Sequence, residues 1–245
     1  MTDDDFLAAD WPAPANIHAG TSLRTGGVSQ GSWSSLNLGG HTGDDPAAVA
    51  ENRARLRRHL GLPAEPAWLT QVHGVDVVAA DTARDTRADA AWTVQSGVVC
   101  TVLTADCLPV LLCDRAGRHV AAAHAGWRGL VAGVLSAAVQ ALPVAPRELL
   151  AWLGPAIGPA AFEVGPEVPE AFARRRPGST DAFVPAASSG KFLGDLPALA
   201  RAELAAAGVE AVYGGGWCTV SDPDRFFSYR RDGVCGRMAT LVWRD

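Results

Sequence analysis

Two short apolar runs occupy the centre of the chain. Residues 97–113 read Gly-Val-Val-Cys-Thr-Val-Leu-Thr-Ala-Asp-Cys-Leu-Pro-Val-Leu-Leu-Cys, and residues 120–123 are a Val/Ala segment leading into His124. The charged turn Asp114-Arg115-Ala116-Gly117-Arg118 separates them. Runs this short, split by a polar turn with Gly, predict buried strands rather than helices. The first run is interrupted at Asp106 and Cys107, with Pro109, which has no N–H for strand pairing, just behind. A helical pattern begins only after Trp127, so His124 sits where a strand gives way to a helix. Strand ends of this kind are where a rigid sheet holds functional groups while the backbone leaves it.

The flanking pattern is also readable. Residues 16–40 predict a short strand and then a Gly/Ser-rich loop, near the ~12–15 residues at which structureless loops become uncommon. Asp44-Asp45-Pro46 is a helix start, with Asp as N-cap and Pro in the first turn. That helix is expected over 46–59, stopping at Gly61-Leu62-Pro63. Residues 67–80 read as a strand pair or a bent strand with Gln71-Val72-His73-Gly74 at the bend. Gly74 permits a bulge or a positive φ that would re-aim His73. Residues 81–89 are polar. Residues 127–142 predict one amphipathic helix with small residues (Gly133, Ala137, Ala138) on one side. A buried strand is expected at 149–153, followed by a Gly/Pro-rich loop. Helices are expected at 166–175 and 195–207, and strands at 210–213 and 238–243. No linker or repeat divides the pattern, which gives a single domain over 1–245.

Composition narrows the function classes. The 245 residues are 48% hydrophobic and 19% charged, enough for a large core, and the formal net charge is −5. That balance argues against nucleic acid or an anionic membrane as the main partner. The acidic N-terminus carries no secretory pattern, and no apolar run approaches the ~20 residues of a membrane span. A soluble, cytoplasmic protein is expected, with no disulfide framework among five scattered cysteines. Cys100 and Cys113 read as small core hydrophobes. Cys107 differs, bracketed by Asp106 and Pro109. His124 differs because Ala125-Gly126 leaves space beside it and Trp127-Arg128 follows. Arg225, Arg230, Arg231 and Arg237 interleave with Phe226, Phe227 and Tyr229, which is either a solvated surface or an anion and ring pocket.

Several stretches together resemble one family. They are Ser35-Leu-Asn-Leu-Gly39 with His41 and Gly43-Asp-Asp-Pro46, Asn52-Arg53, Gln71-Val-His-Gly74, Thr104-Ala-Asp-Cys-Leu-Pro109, and His124-Ala-Gly-Trp-Arg-Gly129. Gly154-Pro-Ala-Ile-Gly158, Phe162-Glu-Val-Gly165, Phe226-Phe-Ser-Tyr-Arg-Arg-Asp232 and Gly236-Arg237 complete the set. In this order they are similar to the multicopper polyphenol oxidase (laccase-domain) family, also described as a purine nucleoside phosphorylase and peptidoglycan editing factor family. Ala160-Ala161 and Cys235 depart from its usual pattern. The resemblance implies an α+β fold with mixed β-sheets sandwiched between helices in a four-layer α/β/β/α arrangement. It also implies a zinc site made by His73, Cys107 and His124. Two imidazoles and one thiolate leave tetrahedral zinc one ligand short, and the fourth position can take water or substrate. Copper also suits these donors in vitro.

The function implied is a zinc-dependent purine nucleoside phosphorylase acting on adenosine, inosine and methylthioadenosine, with phosphate as co-substrate and adenosine deamination as a side activity. Within it, Asp106 and Glu163 are candidate acids or bases beside Cys107. Arg128 is the foremost phosphate ligand. Arg24, Asn37, His41 and Arg230 are further candidates for binding substrate or phosphate, and Phe227 or Tyr229 could stack on the purine. A rival from another class is a cysteine hydrolase or amidase, with Cys107 as nucleophile and His124 or His73 as base, editing peptidoglycan precursors. A third is a scaffold with a structural zinc. Polyphenol oxidation ranks low, because a laccase needs several coppers and many histidines and this chain has six.

Overall fold

The computed structural model describes residues 1–2, 5–82 and 86–245. In chain order these form β1 (Phe6–Ala8), β2 (Ile17–Ser22), α1 (Pro46–Leu60), β3 (Val77–Ala79), β4 (Ala90–Thr93), β5 (Cys100–Thr104), β6 (Leu108–Asp114) and β7 (Val120–Ala125). Then follow α2 (Trp127–Ala132), α3 (Val134–Ala141), β8 (Leu149–Leu153), β9 (Glu163–Val164), α4 (Glu167–Arg175), β10 (Phe183–Pro185) and β11 (Phe192–Gly194). The chain finishes with α5 (Leu196–Ala206), β12 (Ala211–Gly214), α6 (Tyr229–Asp232) and β13 (Met238–Arg244). A four-stranded sheet has the order β1-β2-β13-β5, a six-stranded sheet β12-β8-β6-β7-β4-β3, and a small sheet β10-β11-β9.

Two-residue alternation along the strands builds the layers. Leu111, Cys113, Val120, Ala122 and Leu150 of the six-stranded sheet meet Cys100, Val102 and Val242 of the four-stranded sheet. The opposite set, Leu108, Val110, Leu112, Ala121 and Ala123, packs against Leu130, Leu135 and Val139 of α2 and α3 and against Leu199 and Leu204 of α5. On the outer face of the four-stranded sheet, Leu103, Ala239 and Leu241 pack on Leu56 of α1. The result is the expected α+β sandwich of helix, sheet, sheet and helix. Leu111 and Leu112 are fully buried on opposite faces of β6. Each contributes roughly 1.5–3 kcal/mol of burial, so the strand that follows Cys107 is anchored on both sides.

α1 starts and stops where the sequence signals it. The Asp45 carboxylate accepts the Ala47 N–H at 3.0 Å, and Gly61 ends the helix at φ 59°. Other expectations need correction. The helix expected over 127–142 is two helices, because Gly133 turns left-handed at φ 104°. A Cβ there would lie 2.3 Å from the Arg175 guanidinium. At the 67–80 bend the positive φ falls on His73 (60°) rather than on Gly74, and only β3 and isolated bridges at Ala67 and Thr70 are strand-like. Pro109 lies inside β6 opposite His124. It is tolerated because pairing with β8 begins only at Val110. The polar segment 81–89 falls partly outside the described residues. Among those described, no helix is long and apolar enough to cross a membrane, and the five cysteines are free thiols.

Candidate metal centre and its pocket

Three segments deliver three ligands to one point. His73 comes from the bend before β3, Cys107 from the break between β5 and β6, and His124 from the end of β7. Their ligating atoms all lie within 4.8 Å of one another. Cys107 Sγ is 3.7 Å from His73 Nε2, and the two imidazoles meet edge to face at 4.7 Å. Bonds of 2.0–2.3 Å to a tetrahedral zinc correspond to ligand separations of roughly 3.3–3.8 Å, so the pair measured is already at that spacing.

The supports are local. The Gln71 amide donates to the Leu103 carbonyl at 2.8 Å and accepts the Leu103 N–H at 2.7 Å, gripping β5 as a neighbouring strand would. His73 pays roughly 1–2 kcal/mol for its left-handed backbone. The bend is held by Asp89, a fully buried residue. One Asp89 oxygen accepts the His73 N–H at 2.9 Å; the other accepts those of Gly74 at 2.7 Å and Val72 at 3.2 Å. The same carboxylate lies 2.8 Å from His124 Nδ1. An ionised carboxylate only accepts, so Nδ1 carries the proton and Nε2 is left for the site. Burial alone would raise the Asp89 carboxyl, but the bonds from His124 and the bend hold it below its ordinary range. Sequence reading missed Asp89, because it ends the polar 81–89 segment. Its signal was a carboxylate placed immediately before the apolar Ala-Ala-Trp-Thr of β4.

Burial pushes the Cys107 thiol up, and the adjacent His124 and His73 more than reverse this, to about 6. Burial pushes His124 down, and Cys107 and Asp89 more than reverse that in turn. With no ion bound, Cys107 and His124 are therefore a thiolate beside an imidazolium; once His124 gives up its Nε2 proton, one thiolate and two imidazoles form the donor set that a zinc ion takes. The absence of a side chain at Gly126 makes room for the His73 and Cys107 side chains. A Cβ on Gly126 would lie 2.8 Å from His73 Cδ2 and 2.9 Å from Cys107 Sγ.

These ligands line a pocket of about 610 Å³. His41, Asp106, Arg128, Glu163, Tyr229 and Arg230 line it too, with Lys191 and Arg237. Arg128 is exposed, lies 4.4 Å from the Trp127 ring and pairs with no carboxylate among the described residues. His41 is pushed down by burial and by Arg237, Arg53 and His124 nearby. Glu163 accepts the Ser188 hydroxyl at 2.9 Å. Arg230 donates to the carbonyls of Ala161 and Glu163 at 3.1 and 3.0 Å. Both Asp106 oxygens are engaged, one by the Thr219 hydroxyl and one by the Arg230 N–H, each at 2.6 Å. Asp106 therefore braces the start of α6.

Arg24, Asn37 and Phe227 lie outside this pocket. Arg24 donates to the carbonyls of Ser34 and Pro223 and covers the Phe227 ring at 4.7 Å. Phe227 is fully buried. Asn37, also fully buried, binds Thr42 and Asp44 and accepts the N–H groups of Gly39 and Arg237. It thereby holds the loop that carries His41. Burial raises the Cys235 thiol. A wider groove of about 830 Å³ runs along α1, but none of the three ligands lines it.

The family model for multi-copper polyphenol oxidoreductase laccase matches residues 18–245. A Pseudomonas aeruginosa protein named as a purine nucleoside phosphorylase is 58% identical over 238 residues, covering 97% of this chain and 98% of that one. The Escherichia coli protein named purine nucleoside phosphorylase YfiH is 51% identical over 240 residues, with 97% and 98% covered. The crystal structure of Neisseria meningitidis protein NMB0706 superposes with a TM-score of 0.95 at 54% identity, covering 98% of this chain and 99% of that one.

Proposed function

This chain belongs to the multi-copper polyphenol oxidoreductase laccase family, and we propose that within it the protein is a zinc-dependent purine nucleoside phosphorylase. Its substrates in this reading are adenosine, inosine and methylthioadenosine, with adenosine deamination as a side activity and the cytoplasm as its location. The observation that carries the reading is one three-ligand centre, His73, Cys107 and His124, in a pocket edged by cationic groups and an exposed tyrosine. The names of the relatives support it.

Held by His73, Cys107 and His124, a zinc ion would supply a Lewis acid to the pocket. The remaining work falls to the chain. In phosphorolysis the glycosidic C–N bond breaks, a phosphate oxygen bonds to the sugar carbon, and the departing purine takes a proton. Arg128 offers phosphate a planar two-pronged guanidinium, and Arg237 and Lys191 add positive charge on the same pocket. The Tyr229 ring, 61% exposed, offers the purine a stacking face. Glu163, which lines the same pocket and accepts the Ser188 hydroxyl, passes the proton in this reading.

The donor inventory weighs against a multi-copper oxidase. Among the described residues one cluster of three ligands forms, while His18 pairs with Asp245 and His119 with Asp114. A second reading, a cysteine hydrolase, is favoured by one observation. Cys107, His124 and Asp89 form a thiol, base and orienting carboxylate in sequence, the pattern of an activated nucleophile. That reading leaves His73, 3.7 Å from the same sulfur, without a task.

Arg128→Lys tests the phosphate assignment. Losing the forked, charge-assisted contact costs about 1.5–3 kcal/mol, so KM for phosphate rises about 10- to 100-fold while KM for nucleoside stays unchanged. Steady-state kinetics with each substrate varied in turn gives the comparison. An equal rise in both constants would remove Arg128 from the phosphate role.

A further inference from the structure

We infer that Asp89 is the positioning residue of the metal centre, fixing both histidine ligands through a single carboxylate. The inference rests on the metal reading above and goes beyond the three ligands. The starting point is strand register. Ala90 pairs with Ala123, so Asp89 stands beside His124 at the end of the β4–β7 ladder. There its carbonyl accepts the His124 N–H at 2.7 Å. From that anchored backbone the side chain turns to two targets. It accepts His124 Nδ1–H, which commits the ring to presenting Nε2. It also accepts three successive N–H groups at Val72, His73 and Gly74, which holds His73 at φ 60°.

This demand is specific to aspartate. The two oxygens accept four N–H groups and donate none. An asparagine has one acceptor oxygen. If it faces His124 and His73, its NH₂ meets the N–H groups of Val72 and Gly74, donor against donor. A glutamate keeps the charge but places the oxygens one methylene further from a rigid ladder. Carboxylates behind metal-bound histidines set ring orientation and ligand basicity, and their loss typically costs 10–100-fold in metal affinity. Here the same group also sets the backbone of the second histidine, so the upper part of that range applies.

The test measures zinc affinity by competition with a chromophoric chelator, together with the absorption spectrum of the cobalt-substituted protein. Both are read on the wild type, Asp89→Asn and Asp89→Glu, with circular dichroism of each metal-free protein. Asp89→Asn is expected to bind zinc about 100-fold more weakly, with an altered cobalt spectrum as His73 and His124 leave their positions. Asp89→Glu, which keeps the charge, is expected to recover part of the affinity and is the variant read if the asparagine protein does not fold. A folded Asp89→Asn with wild-type affinity and spectrum, whatever its melting temperature, would overturn the inference and leave Asp89 as a fold residue. If Asp89→Asn does not fold, wild-type affinity and spectrum in Asp89→Glu would overturn it likewise. A wild type that binds neither metal would overturn the underlying metal reading, a separate failure.

Discussion

Cys107→Ser is expected to lose bound zinc and nucleoside phosphorolysis together. Cys107 works as a ligand only as a thiolate, and its surroundings favour that form, since the adjacent His124 and His73 bring the thiol down to about 6 despite burial. Serine offers a neutral hydroxyl with little affinity for zinc. Removing an outer partner of a ligand typically costs 10–100-fold in metal affinity, and removing a ligand outright costs at least about 100-fold. His73 and His124 remain, so excess zinc restores part of both occupancy and rate. The cysteine-hydrolase reading expects a different pattern: zinc content unchanged, turnover abolished, and a mass increase on Cys107 of the wild type after substrate is added. Elemental analysis and the phosphorolysis assay on the same preparations distinguish the two.

Gly126→Ala is expected to damage the centre without touching a ligand. Gly126 has φ −60° and ψ 154°, a conformation alanine adopts freely, so backbone strain plays no part. The added Cβ instead lies 2.9 Å from Cys107 Sγ and 2.8 Å from the His73 ring. One or both ligands must retreat. Overpacking of this kind costs about 1–3 kcal/mol. Here that cost falls on the ligand separations, so the variant folds, melts a few degrees lower and binds zinc at least about tenfold more weakly. Chelator competition and thermal melting on one sample measure both effects. Unchanged zinc affinity would mean that His73 and Cys107 do not meet around a shared ion.

What the sequence made legible follows from physical range. β5, β6, β7 and β8 stand out because strands buried on both faces leave continuous apolar runs. α1 stands out because Asp45, Pro46 and Gly61 act within one turn of its ends. Gly133 was invisible as a helix break, since a glycine among alanines also suits a packed helical face. β9, β10 and β11 are two or three residues long, too short for any period to show. Cys107 and His124 stand out from their local pattern, but joining them with His73 as one ligand set came from the family resemblance, since no spacing rule joins residues so far apart. Asp89 and Gln71 act through space on segments distant in sequence, and only the fold exposes their work. Asn37 sits in a matching motif yet holds a loop together, and Arg24, outside the matching motifs, also binds loop carbonyls. A motif therefore marks a shared site without dividing its residues between chemistry and support.

The central claim meets its most direct test in wild-type protein purified without added metal. Its metal content is measured, and release of free base from adenosine, inosine and methylthioadenosine is followed with and without phosphate. The expected result is about one zinc per chain and base release that requires phosphate, with the sugar recovered as its 1-phosphate. Base release indifferent to phosphate, or full activity in metal-free protein, would contradict the account.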